Sequence, residues 1–362
     1  MADHNEIITE ALGELTKRTL EYLPVAELLL DTRNPRLVTS GTPTQDKLMR
    51  LLYETESLDE LAASFADNGY FAEEPLVVVP SDSGWVVVEG NRRLTTLKIL
   101  LSSTSRADLG IKDWPELTPA QRSSLELVPC VKYEKREDVF PFLGFRHITG
   151  PKKWAPFQRA RFIAQLIDDG KDLNEIEDLV GDTGQTVKKL YQDYVVFEQV
   201  KKDLDLPERP IRERFSLLEV TLGQRSIKAF LNIPRRLPVE RVDALVPDDH
   251  LDQLEEVVTW VFGSDEKPPV ISDSRAITNR LAPVLSSETA TSYLRKTGDL
   301  EAAYEFSDGE KAYLLKRIQS AERALRDVAS LISIYRSDGD VVAGVARLTQ
   351  VVEGLSAVVD AE

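Results

Sequence analysis

The sequence is poor in the side chains that build metal centres and disulfide scaffolds. Its 362 residues include one cysteine, Cys130, which excludes disulfide frameworks and thiolate zinc sites, and three scattered histidines (His4, His147 and His250), too few and too dispersed for a histidine metal centre. It has no basic excess. With 45 Lys plus Arg against 61 Asp plus Glu, the net charge of −16 excludes a surface coated with positive charge for non-specific nucleic-acid binding, so any phosphate contact must come from a local basic patch. No uncharged apolar run approaches the ~20 residues that span a bilayer, and the start of the chain (Asp3, Glu6, Glu10) lacks the basic and apolar segments of a signal peptide. These absences predict a cytoplasmic protein in a reducing compartment with no membrane segment. No repeat of 20–50 residues and no low-complexity tract is present.

What is present is uneven charge. Residues 1–100 carry 9 basic and 17 acidic groups, whereas 139–161 carry Arg146, Lys152, Lys153, Arg159 and Arg161 and no acid. The positive surface is therefore expected there. A second cationic stretch, 209–241, has eight basic and three acidic residues with interspersed prolines, and reads as a partly extended connector.

Periodicity divides the chain into a mixed N-terminal part and a helical remainder. An apolar run, Leu20 to Leu30, ends before Asn34-Pro35-Arg36, where proline forbids helix. From Leu58 the spacing is helical, with Ser57 in the N-cap position and Asn68-Gly69 closing the element. Pro75 to Pro80 and Gly84 to Glu89 are β-branched runs around Ser81-Asp82-Ser83, a hairpin signal, and Pro129 to Tyr133 is a further strand. Helices are expected over Phe157–Asp168, Leu173–Val180, Gln185–Val200, Leu251–Phe262, Ser274–Leu285, Asp308–Arg336 and Val341–Val358. Asp273 suits an N-cap, and the three-to-four apolar spacing of the Asp308–Arg336 helix suits a bundle or a dimer seam.

The sharpest local feature is Glu89-Gly90-Asn91-Arg92-Arg93. A strand that turns through glycine into a helix leaves backbone N–H groups converging on one spot, the helix dipole adds positive character, and two arginines there can grip phosphate oxygens. Glu89 on the same side can hold an arginine, a magnesium ion or a ribose hydroxyl. The bland alternative is that Arg92 and Arg93 neutralise carboxylates such as Glu73 and Glu74. Arg146, His147, Lys152 and Lys153 around Gly150-Pro151 form a cationic loop before a helix, facing phosphates or the acidic N-terminal part. Trp154 and Phe157 read as core. Leu173–Val180, the turn Gly181-Asp-Thr-Gly184 and the following helix have helix-turn-helix form, which would bring Thr183, Gln185, Thr186, Lys188 and Lys189 towards DNA. Glu175, Glu177, Asp178 and Asp182 oppose that role, and a structural helical hairpin is the alternative.

In the order Asn34-Pro35-Arg36, Leu58-Asp-Glu-Leu61-Ala62, Gly69-Tyr70, Pro75-Leu-Val-Val78 and Glu89-Gly90-Asn91-Arg92-Arg93, the chain resembles the N-terminal domain of the ParB and sulfiredoxin superfamily over residues 20–200. The resemblance implies an α+β protein: a ParB/sulfiredoxin-like N-terminal α/β domain followed by a mostly helical middle and C-terminal region. The corresponding domains are an extension (1–19), a nucleotide-binding domain (20–138), a basic loop with the helix-turn-helix (139–205), the connector (206–247) and a helical C-terminal domain (248–362). It implies a nucleotide pocket for CTP or ATP, with Gly90, Asn91, Arg92 and Arg93 on the triphosphate, Gly69 and Tyr70 near the nucleotide, Arg36 in the arginine loop, and DNA as a partner. The family's second box has an acid and an amide that help to hold magnesium; here Arg146 and His147 stand in their place, which weakens Mg²⁺-dependent hydrolysis and favours anion binding. The expected function is nucleotide-switched action on or near DNA, in a plasmid, phage or defence setting. A metal-dependent nuclease or nucleotide hydrolase, with Glu89 and His147 as catalytic candidates, and a nucleotide-free adaptor are the alternatives. The C-terminal helices are expected to join a second copy or a protein partner.

Overall fold

The computed structural model describes residues 20–37, 42–150, 153–308 and 310–360. Two compact units divide the chain. One takes residues up to 203 with 208–219 and 234–245, and the other takes 204–207, 220–233 and 246 onward.

In the first unit the apolar run Leu20–Leu30 is broken into β1 (Leu20–Pro24) and β2 (Leu28–Leu30) by a 3-10 turn, Val25–Glu27. Pro24, which has no N–H to donate, sits at the break. The valine-rich runs form β3 (Leu76–Ser81) and β4 (Gly84–Glu89), and β5 is Leu127–Lys132. The sheet order is β1-β5-β3-β4-β2; β1/β5 and β3/β4 are antiparallel, β3/β5 and β2/β4 parallel. Helices α1 (Gln45–Thr55), α2 (Asp59–Asn68), α3 (Asn91–Leu101), α4 (Ser103–Asp108) and α5 (Pro119–Leu125) accompany it. Leu28, Leu48, Leu76, Val87, Leu94 and Leu97 lose all solvent contact in the shared core, each contributing about 1.5–3 kcal/mol by burial. Cys130 lies in that core, where burial pushes its thiol up to about 12, so it is no nucleophile.

Ser57 does not cap α2. Leu58 holds the cap position without a side-chain bond, and the Ser57 carbonyl accepts from Arg92 instead. Helices α1, α4 and α5 have no counterpart in the periodicity reading.

The same unit continues with α6 (Phe140–Gly144), which runs into a π turn at Phe145–Thr149, then α7 (Pro156–Asp168), α8 (Leu173–Val180) and α9 (Thr186–Asp203). Phe157 packs edge-on against Phe197 and Phe215, with ring centres 5.2 and 5.5 Å away. Within the stretch read as a partly extended connector, α10 (Glu208–Glu213), α11 (Phe215–Gly223) and α12 (Arg225–Phe230) form, the last in the second unit, whereas residues 231–247 have neither helix nor strand. Pro210 falls in the first turn of α10, where no intrahelical N–H is needed, and Arg209–Glu213 and Arg212–Glu208 pair one helical turn apart.

The second unit contains α13 (Leu251–Phe262), α14 (Ser274–Ala276) and α15 (Ala282–Val284) joined by a π turn, α16 (Glu288–Thr297), α17 (Leu300–Glu305), α18 (Glu310–Ile332) and α19 (Gly339–Asp360). Asp273 caps α14, accepting from the N–H groups of Arg275 and Ala276 at 2.8 and 3.0 Å. Leu254, Val258, Val261, Ile277, Leu281 and Leu294 make its core. Among the described residues one helix, Gly339–Val359, is long and apolar enough by length and composition to cross a membrane; Arg347 and Glu353 interrupt it, so it is not an uncharged run.

Candidate functional site

The carboxyl end of β4 passes into α3 through Gly90, whose φ of 102° is left-handed. A Cβ at Gly90 would lie 2.4 Å from Leu76 Cδ2, so glycine is required by both conformation and space. No side chain caps α3, and the residues of its start, Gly90 to Arg93, line a cavity of about 340 Å³. Arg36, Tyr70, Glu74, Glu89, Arg93 and Arg146 line it, together with Asn34, His147, Trp154 and the exposed ring of Phe71.

Its cationic wall is assembled from distant segments. Arg93 donates to the Tyr70 hydroxyl at 3.1 Å and to the Glu74 carbonyl, and faces the carboxylates of Glu74 and Glu89 at 3.7 and 3.8 Å. Arg146 donates to Glu74 Oε2 at 2.9 Å and lies 3.7 Å from Glu89 Oε1. His147 Nε2 is 3.0 Å from Glu89 Oε2, and its imidazole, 2% exposed, stacks on Trp154 at 4.2 Å. The Arg36 guanidinium lies 6.0 Å from the centre of the Trp154 ring. The π turn brings the consecutive residues Arg146 and His147 to one cavity, a local widening that recurs at functional sites.

Two titratable groups are displaced. Burial alone would raise the Glu89 carboxyl, but the hydrogen bond and charge of His147, with the charges of Arg93 and Arg36, hold it below the usual carboxylate range. Burial pushes the Tyr70 hydroxyl up to about 12, with Arg93 pulling the other way. Tyr70 is therefore a neutral positioning group at physiological pH.

No protein-family model and no curated protein matches the chain. Among solved structures it is similar to the C-terminally truncated chromosome-partitioning protein ParB from Caulobacter crescentus complexed with CTP-γ-S, at 13% identity over 66% of this chain and 99% of that one, with a TM-score of 0.22. It is also similar to a Pnob8-like ParB-N domain in a C2221 form (11% identity, 67% and 98% covered, TM-score 0.31) and to the pNOB8-like ParB N-domain (15%, 72% and 94%, TM-score 0.31).

The residues expected at a nucleotide do not all meet. Arg36, Tyr70, Glu89, Gly90, Asn91, Arg92, Arg93, Arg146 and His147 line one cavity. Asn91 spends its amide on structure, donating to the Val87 carbonyl at 2.7 Å and accepting from the Asp31 N–H at 2.9 Å. Arg92 turns to the rim, bound to the Ser57 carbonyl at 2.8 Å and to Glu56 at 3.2 Å. Gly69 closes α2 with φ of 74° and does not line the cavity. Lys153 is exposed and away from it, and Lys152 lies outside the described residues. Of the remaining cationic segment, Arg159 faces Glu219 and Arg161 donates to the Leu37 carbonyl. Sequence reasoning read Trp154 as core; it is buried, but also supports His147. Phe71, adjacent to the noted Gly69-Tyr70, was missed.

The acids do not make a metal site. Glu89 faces Arg93, Arg146 and His147, Glu74 is held by Arg146, and among the described residues no group of three His, Cys, Asp or Glu is placed to hold an ion. The donor set does not fit protein-held magnesium.

At α8 and α9, Thr183, Gln185 and Lys189 are exposed and Thr186 half-buried. Lys188 is tied to Glu177 at 2.7 Å and Asn174 at 3.3 Å. Asp182 accepts from the N–H groups of Gly184 (2.9 Å) and Val187 (2.7 Å), so this acid anchors the turn.

Proposed function

We propose that the chain is a ParB-like nucleotide-binding protein that acts on or near DNA, with CTP or ATP as a conformational ligand. The observation that carries the reading is the convergence of Arg93 from the strand-to-helix junction and Arg146 from the π turn on one cavity at an uncapped helix N-terminus. Backbone amides and two guanidinium groups around one opening suit a polyphosphate. The aromatic rim at Phe71 offers a face to a base.

Arg93 belongs to the sheet-bearing part, whereas Arg146 precedes α7, α8 and α9. A ligand held by both would stabilise the arrangement in which those elements are joined, and so shift the population of the helical part that bears Gln185 and Lys189. Metal-dependent nuclease or hydrolase chemistry is disfavoured by the engagement of Glu89 with His147 and the arginines. Calorimetric titration with CTP, ATP, GTP and UTP tests the proposal: micromolar binding of CTP or ATP supports it, and heat from none of the four removes it.

A further inference from the structure

Much of the positive charge in the helical part of the first unit is compensated within it. Lys188 pairs with Glu177 at 2.7 Å, Arg241 with Asp168 at 2.9 Å and Arg209 with Glu213 at 2.7 Å, while Arg159 and Arg212 each face a glutamate at 3.7 Å. Arg235 and Arg236 differ. Both are exposed, and neither side chain has a hydrogen bond or an ion pair with a described residue.

Their segment is short and firmly seated. Pro234 and Pro238 bracket it, fixing φ at two positions and disfavouring helix at the residues before them, and residues 233–240 have neither helix nor strand. Just beyond the arginines the chain is pinned. The Val239 carbonyl accepts from the Leu173 N–H at 3.1 Å, the Val242 N–H donates to the Tyr191 hydroxyl at 3.1 Å, and the Leu245 N–H donates to Oε1 of the buried Gln199 at 3.1 Å. Leu173 opens α8, and Tyr191 and Gln199 belong to α9, so the two arginines ride on a loop fastened to that helix pair.

We propose, resting on the DNA reading above, that Arg235 and Arg236 form an arginine arm that takes backbone phosphates of duplex DNA beside α8 and α9. Guanidinium groups suit phosphate oxygens, and such contacts position a protein on the duplex without reading bases. The arm supplies what α9 lacks, because Lys188 is compensated and Lys189 is exposed alone at its start. The acids nearby compete weakly. Asp172 and Glu175 at the start of α8 are turned to backbone N–H groups of the capping box at 2.8 Å, which leaves Glu240 as the one acid of 233–240. The reach is adequate too. Arg236 is three residues from Val239, at most about 11 Å of chain, and α8 is about 12 Å long. One turn of duplex is about 34 Å long, enough to meet both the arm and the exposed turn that follows α8.

Fluorescence anisotropy of the full chain with a random-sequence duplex across a salt series is the test. Arg235→Ala/Arg236→Ala should lower the slope of log affinity against log salt by about 1.8, two phosphates at about 0.9 each, whereas Arg235→Lys/Arg236→Lys should keep the wild-type slope. The loss should be the same on a second duplex of unrelated sequence. An unchanged slope in the alanine pair overturns the arm and leaves the DNA reading standing, since the duplex is still bound. An equal loss in the lysine pair overturns it as well, because charge is then not what binds, and so does a loss confined to one sequence. A wild-type chain that binds no duplex removes the arm and the DNA reading together, while nucleotide binding is decided separately by calorimetry.

Discussion

His147 Nε2 lies 3.0 Å from Glu89 Oε2, joining the end of β4 to the π turn that precedes the helical part of the first unit. The same carboxylate faces Arg93 and Arg146, so one half-buried acid organises the cationic wall.

Because the Glu89 carboxyl is depressed in the folded state, its contribution to stability is fully present above the unfolded value of about 4.3 and is lost as pH falls through the lower folded value. Glu89→Gln should cost about 1–3 kcal/mol at neutral pH, with the difference from wild type shrinking below about pH 4. Thermal unfolding of both proteins from pH 3 to pH 7 checks this; a gap that stays constant over that range contradicts it.

Glu74 is the internal counter-ion of Arg146 and Arg93, and it is half-exposed. Glu74→Gln should tighten phosphate-bearing ligands by roughly three- to tenfold, about 1 kcal/mol. Weaker binding in this variant, read by calorimetry with CTP, would mean that Glu74 holds the arginines in place instead of competing for them.

Gly90→Ala places a Cβ against Leu76 at a left-handed φ. The cost should be about 1–3 kcal/mol. Urea unfolding measures it, and a loss under half a kilocalorie, about what a tolerant surface site gives, would show that the junction relaxes.

On α9 Lys189 is exposed, whereas Lys188 is neutralised by Glu177. If α9 meets DNA, Lys189→Ala should lower the slope of log affinity against log salt by about 0.9, and Lys188→Ala should change it far less. Equal effects of the two lysines, in fluorescence anisotropy with a duplex, would contradict the assignment.

Much of the first unit was legible because its signals are local. Valine runs flanking a short turn define a hairpin, and a strand, Gly90 and a helix start mark the junction without reference to the rest of the chain. The partners of those residues were not legible. Glu56 takes Arg92, Asp31 takes Arg136 at 2.6 Å, and Glu177 takes Lys188, and each pairing depends on how elements pack. The acid-free segment 139–161 looked like one cationic surface, but the helical geometry of α7 turns Arg159 and Arg161 to other partners and leaves Arg146 at the cavity. The stretch 209–241 divides: its first part folds into short helices that accommodate Pro210 in a first turn, and the part around Pro234 and Pro238 has neither helix nor strand.

The central claim is that Arg93 and Arg146 hold one phosphate-bearing ligand. The direct measurement is a double-mutant cycle of CTP and ATP affinity over wild type, Arg93→Ala, Arg146→Ala and the double variant. Each single change should weaken the bound nucleotide about 10- to 100-fold, or 1.4–2.8 kcal/mol, with the double variant losing less than the sum of the two. Unchanged affinity in both single variants would contradict the account.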